Sequence, residues 1–355
     1  MQHKVIDTND VVIRFAGDSG DGMQLTGTLF ADASALYGNE ISTFPDYPAE
    51  IRAPHGTVSG VSGFQVHIGK SGVTTPGDFA DALVAMNPAA LKANAKWAKP
   101  NATIIVDLDS FDEANIKRAG FETDDPIAEL KLEDRTIVAA NITSLTKESL
   151  KDSGLGLKEM ERCKNMFTLG MVFFMFNRPL EYTDAYLVKK FGKKHPEMVD
   201  INKKVIRDGF NYAENIQAIA NTYTIAPAKQ EPGVYRNING NQATAWGLIA
   251  ASEKAGIPLF CGSYPITPAT AILEELAIYK NLGVKTVQCE DEIAGICTAI
   301  GAAFAGNFAV TTTSGPGISL KSEAMGLAMI TELPLVIVDV QRSGPSTGIP
   351  TKTDM

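Results

Sequence analysis

The stretch that indicates the fold class reads VVIRFAGDSGDGMQL, at residues 11–25. Its first six residues are mostly apolar and β-branched, which predicts a buried strand. The glycines after it predict a turn into a helix that reaches Leu36. Further strands are predicted at residues 57–68, 82–85, 103–106 and 136–139, with helices at 89–97 and 160–176. Strands that alternate with helices predict a mainly parallel, doubly wound α/β sheet.

The second part of the chain repeats this alternation. A closing helix is predicted at residues 199–223, and the residues after it have the proline- and glycine-rich composition of a linker. A helix start at Gly240 is followed by predicted strands at residues 258–261, 284–288, 308–312 and 335–340, with helices at 270–278, 292–305 and 319–331. We therefore expect one α/β domain at residues 1–224, a linker at 225–236 and a second α/β domain at 237–355.

Composition excludes several classes of protein. A chain of 355 residues with 45% hydrophobic and 21% charged residues suits two soluble globular domains. The net charge of -9, without a run of Lys or Arg, argues against a nucleic-acid partner. The first residues lack the pattern of a secretory signal, and the most apolar window, residues 166–176, is short for a membrane span. We expect a cytoplasmic protein without a membrane segment, in which that window forms a core helix.

The four cysteines, Cys163, Cys261, Cys289 and Cys297, form no C-x-x-C pair. Iron–sulfur clusters need several thiolates at characteristic spacings. We therefore expect this chain to ligate no cluster by itself, so that any cluster would belong to a partner.

The glycine-rich loop at residues 17–22 has two interpretations. Backbone N–H groups between a strand and a helix suit a phosphate or carboxylate, but a tight structural turn explains the glycines equally simply. The spacing differs from G-x-G-x-x-G, and Asp18 and Asp21 would repel a pyrophosphate. These features favour the structural turn and argue against a nicotinamide-dependent enzyme. The proline-rich residues 44–54 predict a rigid surface loop, or alternatively a contact with another subunit or a lid over a site.

Three loops of the second domain follow strands at the edge where doubly wound sheets bind ligands. The first contains Thr267, whose hydroxyl beside a helix start could hold a carboxylate or could simply cap the helix together with Pro268. The second contains Glu292, whose position in a helical first turn suits ordinary capping. Small residues after Glu292 also leave room for a planar ring beside a poorly solvated carboxylate. The third contains Ser314 in a glycine-rich segment.

A glycine- and proline-rich loop after the last strand carries Arg342 and Lys352. Arginine can bind a carboxylate through two hydrogen bonds, and lysine acts as a mobile point charge. A solvated loop without a binding role is the alternative.

Four longer motifs are FAGDSGDGMQLTG at residues 15–27, PAEIRAP at 48–54, YPITP at 264–268 and SGPSTG at 343–348. With them the chain resembles, over nearly its whole length, the α subunits of 2-oxoacid:ferredoxin oxidoreductases. The closest match is the 2-oxoglutarate type, in which a Rossmann-like γ domain precedes a transketolase-like domain that binds the pyrimidine of thiamine diphosphate. The resemblance implies CoA-dependent, reversible oxidative decarboxylation of a 2-oxoacid to an acyl-CoA, CO2 and reduced ferredoxin.

The resemblance also implies roles for single residues. Glu292 matches the glutamate that activates the cofactor by favouring the imino tautomer of its aminopyrimidine, and Thr267 matches a residue near the reacting carbon and the substrate carboxylate. Further cofactor contacts are implied for Pro265, Ile266 and Ser314. Arg342 matches a contact to the distal end of the substrate, and Lys352 is a further candidate for substrate binding.

The same resemblance implies a division of labour between subunits. The diphosphate, its magnesium ion and an iron–sulfur cluster would reside on a separate β subunit, and ferredoxin and coenzyme A would be further partners. Family members of this kind continue beyond residues 351–353 into another domain, so we expect that this chain, which ends at Met355, lacks that C-terminal domain. The alternatives are a member specific for pyruvate or a branched-chain 2-oxoacid, and an inactive subunit with a role in assembly only.

Overall fold

The computed structural model describes residues 4–18, 20–46, 60–193, 195–216, 219 and 221–340. The chain divides into two compact units, Met1–Val234 and Tyr235–Met355. Each unit contains a sheet with parallel strands and helices between them, which confirms the predicted α/β class.

The first unit contains eight strands and nine α-helices within its described residues. The strands are β1 (Lys4–Thr8), β2 (Asp10–Asp18), β3 (Glu40–Asp46), β4 (Val61–Gly69), β5 (Ala80–Ala85), β6 (Ala98–Asp107), β7 (Thr136–Ala140) and β8 (Asn221–Ile225). The helices are α1 (Met23–Tyr37), α2 (Pro88–Asn94), α3 (Glu113–Arg118), α4 (Pro126–Glu129), α5 (Ile142–Ser149), α6 (Leu157–Glu161), α7 (Lys164–Met175), α8 (Asp184–Phe191) and α9 (Glu197–Asn215). Short 3-10 helices lie at Ala95–Trp97, Leu108–Ser110 and Leu180–Thr183.

The main sheet of this unit has the strand order β3-β4-β2-β5-β6-β7. Strands β2, β5, β6 and β7 are parallel, as predicted. Strands β3 and β4 run antiparallel to their neighbours, and β3 was not expected from the sequence. The sheet is therefore mixed, with an antiparallel edge added to a parallel centre.

One predicted helix, at residues 199–223, is wrong in its C-terminal part. Helix α9 ends at Asn215, and β8 follows it. Strand β8 pairs in parallel with the N-terminal strand β1, from Lys4 opposite Asn221 to Thr8 opposite Ile225. The segment Asn221–Ile225 reads NTYTI, a β-branched and aromatic composition that suits a strand once a partner is present.

The apolar window at residues 166–176 forms most of the buried helix α7, as predicted, although the helix expected from residue 160 is broken into α6 and α7. Helix α7 packs closely on α9 where Gly170 and Gly209 face the other helix. A Cβ atom on Gly170 would collide with the carbonyl oxygen of Ile206, and one on Gly209 with that of Phe167. Of the helices that the structure describes, none has both the length and the hydropathy needed to cross a membrane.

The second unit contains four strands and five α-helices within its described residues. The strands are β9 (Leu259–Ser263), β10 (Lys285–Gln288), β11 (Phe308–Thr313) and β12 (Leu335–Asp339). The helices are α10 (Gly240–Ala255), α11 (Thr270–Ile278), α12 (Glu292–Phe304), α13 (Gly315–Leu320) and α14 (Ser322–Ile330), with a 3-10 helix at Lys280–Leu282. The single helix expected at residues 319–331 is wrong, because the chain turns at Lys321 between α13 and α14.

All four strands of the second unit are parallel, in the order β10-β9-β11-β12. After β9 the chain adds β10 on one side, and it then returns past β9 to add β11 on the other side. This reversal creates a crevice between the carboxyl ends of β9 and β11, where doubly wound sheets bind their ligands.

Candidate active site

The crevice between β9 and β11 is lined by hydroxyl groups from both strand ends. Ser263 Oγ donates to the carbonyl oxygen of Thr312 at 3.0 Å. The hydroxyls of Tyr264 and Thr313 also lie 3.0 Å apart, and all four residues are buried. These bonds join two segments that are far apart in the chain and fix the floor of the crevice.

Helix α12 begins beside this floor, and Asp291 rather than Glu292 caps it. The Asp291 carboxylate accepts a hydrogen bond from the backbone N–H of Ala294 at 2.8 Å. Within the described residues, the half-buried carboxylate of Glu292 accepts no hydrogen bond and belongs to no ion pair. Capping therefore does not account for Glu292, which occupies the positive end of a helix.

Gly317 lies in close contact with the residues around Glu292. A Cβ atom at this position would collide with the hydroxyls of Tyr264 and Thr313 and would lie 3.1 Å from Cγ of Glu292. A glycine at this position therefore lets the β9 and β11 loops pack closely against the start of α12.

Lys321 is the residue of this site that sequence reasoning missed. Its side chain is fully buried, and Nζ donates to Thr311 Oγ1 at 2.9 Å and to the carbonyl oxygen of Glu292 at 3.1 Å. Burial lowers the pKa of Lys321 from 10.5 to about 8, although the nearby Glu292 carboxylate acts to raise it. The only signal in the sequence was a single lysine between a glycine loop and an apolar helix.

The loop after β9 differs from the helix cap considered above. Helix α11 begins at Thr270, whose hydroxyl accepts from the backbone N–H of Ile266 at 2.7 Å, so capping by Thr267 is wrong. Thr267 and Pro265 are exposed and Ile266 is half-buried, and the bond between Thr267 and Pro268 is cis. The roles of these residues toward cofactor and substrate stay predictions.

The remaining predicted residues are placed differently. Ser314 is buried beside the crevice, and its Oγ has no hydrogen-bond partner within the described structure. Arg342, Lys352 and the motif at residues 48–54 lie outside the described residues. Cys163 and Cys261 are buried, Cys289 is half-buried and Cys297 is exposed. In the described part of the chain, no group of three or more His, Cys, Asp or Glu side chains could hold a metal ion.

The glycine-rich loop of the first unit forms a closed turn. The N–H of Asp21 donates to the carbonyl of Asp18 at 2.9 Å, and the N–H of Asp18 donates to the Asp21 carboxylate at 2.8 Å. Lys164 pairs with Asp21 at 2.9 Å beside a polar cavity of about 130 Å³. Since the loop uses these groups internally, the geometry supports the structural-turn interpretation.

Profiles of known families match two parts of the chain. Residues 12–212 match "Pyruvate ferredoxin/flavodoxin oxidoreductase", and residues 251–355 match the thiamine diphosphate-binding part of "Pyruvate flavodoxin/ferredoxin oxidoreductase". The chain belongs to the pyruvate ferredoxin/flavodoxin oxidoreductase family. The resemblance drawn from its motifs is thereby confirmed.

Two curated relatives match nearly the whole of this chain. The chain is 51% identical to the 2-oxoglutarate oxidoreductase subunit KorA of Mycobacterium tuberculosis, over 97% of the chain and 52% of that protein. It is 28% identical to subunit alpha of the 2-oxoacid:ferredoxin oxidoreductase 1 of Aeropyrum pernix, over 97% of the chain and 56% of that protein. The chain thus spans about half the length of these relatives.

A solved member of the oxidoreductase family has the same fold. The 2-oxoglutarate:ferredoxin oxidoreductase from Magnetococcus marinus, with 2-oxoglutarate, coenzyme A and succinyl-CoA bound, superposes with a TM-score of 0.70 at 33% identity. The match covers 97% of this chain and 54% of the Magnetococcus chain.

Proposed function

We propose that this chain contributes the pyrimidine-binding side of a thiamine diphosphate site in a 2-oxoglutarate:ferredoxin oxidoreductase. The proposed reaction is the reversible, CoA-dependent oxidative decarboxylation of 2-oxoglutarate to succinyl-CoA and CO2, with the released electrons reducing ferredoxin. The observation that carries the proposal is the Glu292 carboxylate, which has no hydrogen-bond or ion-pair partner among the described residues and lies at the crevice between β9 and β11.

The described residues fit an aminopyrimidine ring. Within the described residues, the Glu292 carboxylate accepts no hydrogen bond and the buried Oγ of Ser314 has no partner, so an acid and a hydroxyl are both available to a polar ring. When bound, thiamine diphosphate supplies a nucleophilic carbon for attack on the 2-oxo carbon and accepts the electrons that loss of CO2 leaves behind. Glu292 would share a proton with a ring nitrogen, and partial burial of its side chain would strengthen such a hydrogen bond.

Other residues would hold the cofactor and the substrate. Pro265 and Ile266 would flank the ring, and Thr267 would receive the substrate carboxylate. Arg342 would pair with the distal carboxylate of 2-oxoglutarate, with Lys352 as a second cation in the same loop. These assignments rest on the motif match and on the place of the first three residues directly after β9.

The proposal gives the metal and the cluster to a partner. The diphosphate, its Mg²⁺ and an iron–sulfur cluster are placed on a β subunit, in keeping with the scattered cysteines of this chain. The proposal includes a cytoplasmic location, where coenzyme A and ferredoxin would be available.

The test is co-expression of the full-length subunit with its β partner, followed by anaerobic assays with 2-oxoglutarate, pyruvate and a branched-chain 2-oxoacid. We expect CoA-dependent reduction of ferredoxin with the highest kcat/KM for 2-oxoglutarate. A preference for pyruvate or the branched substrate would refute the substrate assignment. A complex that binds thiamine diphosphate stoichiometrically but turns over none of the three would favour a role in assembly.

A further inference from the structure

Lys321 is a buried cation for which the proposed chemistry has so far assigned no role. It lies at the turn between α13 and α14, and its side chain is fully buried. An ammonium group away from water is costly unless polar partners surround it. A lysine kept in such a place therefore calls for an account of what its amine contacts.

The contacts of Nζ join three elements that border the crevice. The amine donates to Thr311 Oγ1 in β11 at 2.9 Å and to the main-chain oxygen of Glu292 in α12 at 3.1 Å. It also lies 5.3 Å from the centre of the ring of Tyr264, which directly follows β9. A single side chain thus connects the first turn of α12 to both strands of the crevice.

The lysine holds the backbone of Glu292 and leaves the acid available. Within the described residues, the Glu292 carboxylate is not in an ion pair, so Nζ contacts the main chain of this residue but not its acid group. Movement of the first turn of α12 would displace the carboxylate, because Glu292 is the first residue of that helix. Small displacements of catalytic groups reduce rates strongly.

We propose that Lys321 is a positioning residue, which anchors the first turn of α12 and places a positive charge behind Glu292. This inference rests on the proposed function of Glu292. The anchor keeps the carboxylate directed at the ring of the cofactor, and the charge favours the ionised carboxylate.

The charge on Lys321 depends on pH. Burial lowers the pKa of Lys321 to about 8, against the opposing effects of Glu292, Cys261, Cys289 and Cys297. The groups that face the amine are thus one carboxylate, three thiols and the Tyr264 phenol. Above its pKa the amine keeps its two hydrogen bonds but loses its charge, so the contribution of the charge should decline on the alkaline side.

The first experiment tests, without cofactor, whether Lys321 stabilises the first turn of α12. Amide hydrogen exchange of residues 290–297 is compared in full-length wild type, Lys321→Met, Thr311→Val and the exposed control Lys254→Met. We expect roughly tenfold faster exchange in Lys321→Met, a smaller increase in Thr311→Val and no change in the control. Thr311→Val removes one hydrogen-bond acceptor of Lys321 and keeps the lysine charge. It therefore tests whether Lys321 anchors α12 even if Lys321→Met does not fold. Unchanged exchange in Thr311→Val and in any folded Lys321→Met would overturn the anchor.

The second experiment tests the effect of the Lys321 charge in the complex with the β partner. Proton exchange at the reactive carbon of bound thiamine diphosphate is followed across about pH 6 to 9. We expect Lys321→Met to slow this exchange by roughly tenfold or more, with the KM for 2-oxoglutarate within about twofold of wild type. The alkaline decline should be present in wild type, Cys289→Ser and Cys297→Ser, and absent in Lys321→Met.

Two outcomes would contradict the proposed role of the Lys321 charge. One is wild-type exchange with the wild-type pH profile in Lys321→Met. The other is an equal loss at every pH, together with weaker cofactor binding, as expected of a residue with a structural role only. Glu292→Gln separates the two hypotheses. Wild-type proton exchange in that variant would refute the proposed function. Loss of proton exchange in Glu292→Gln together with wild-type exchange in Lys321→Met would refute only the inference about Lys321.

Discussion

Replacement of Lys321 by methionine should change how the stability of the second unit depends on pH. The pKa of this lysine is lowered by burial from 10.5 to about 8. Methionine has a similar length and no charge, so the variant removes the titration with little change in volume. The free-energy equivalent of the lowered pKa is about 3 kcal/mol, and most of it, about 2 kcal/mol, falls between about pH 7.5 and 10.

The sign of this pH dependence follows from how many protons the folded and unfolded chains bind. Below about pH 8 the folded and unfolded chains both hold the proton, and the stability does not depend on this group. Between about pH 8 and 10.5 the unfolded chain binds more protons, so the wild type gains stability as the pH rises. The free energy of unfolding of wild type minus that of Lys321→Met should therefore increase with pH.

The measurement is urea unfolding followed by tryptophan fluorescence. The chain has two tryptophans, Trp97 in the first unit and Trp246 in the second. In a Trp97→Phe background, Trp246 reports the second unit alone. Groups that titrate in this range without facing Lys321 contribute equally to both proteins and cancel in the difference. A difference between wild type and variant that is the same at about pH 7.5 and 10 would refute the lowered pKa.

Four further predictions use the same chain. Glu292→Gln should retain fold and assembly but lower turnover about 10²- to 10⁴-fold, measured in the complex with the β partner; near-normal proton exchange on the cofactor would contradict the assignment. Anaerobic reconstitution of the isolated chain with iron and sulfide should give no stoichiometric cluster absorbance, because the cysteines lack ligating spacing. Arg342→Ala should weaken use of 2-oxoglutarate by about 2–5 kcal/mol if the charge pair is buried, and equal losses with pyruvate would make this arginine structural. Gly170→Ala should destabilise the first unit by about 1–3 kcal/mol, because its Cβ meets the backbone of α9, whereas the control Gly326→Ala, which has open space, should be neutral or stabilising.

Much of the fold follows from local pattern. Apolar runs bounded by glycine and proline predicted β5, β6, β7 and all four strands of the second unit, and α11 has the predicted bounds. One error has a tertiary cause. Strand β8 was included in a helix because its partner β1 lies more than two hundred residues earlier, and a short strand has no local signal that outweighs a preceding helical period.

The candidate site also has residues that the sequence singled out and features that only the structure shows. Thr267, Glu292 and Ser314 could be singled out because each follows a predicted strand of a doubly wound sheet. The capping residue could not be chosen from three successive acids. Only the structure shows that Asp291 caps α12 and that the Glu292 carboxylate has no ion-pair partner in the part of the chain that the structure describes.

Composition, the alternation of strands and helices, and the long motifs thus determined the α/β class and the family, and they singled out Glu292 as a candidate. Strand order, the contact between Tyr264 and Thr313 and the burial of Lys321 were decided by tertiary structure alone. The physical reason is that residue type and periodicity are local, whereas the surroundings of a side chain depend on segments that meet only when the sheet has formed. A lysine in a sequence predicts a solvent-exposed side chain. At Lys321 the turn between α13 and α14 instead directs the side chain inward, toward β11 and the start of α12.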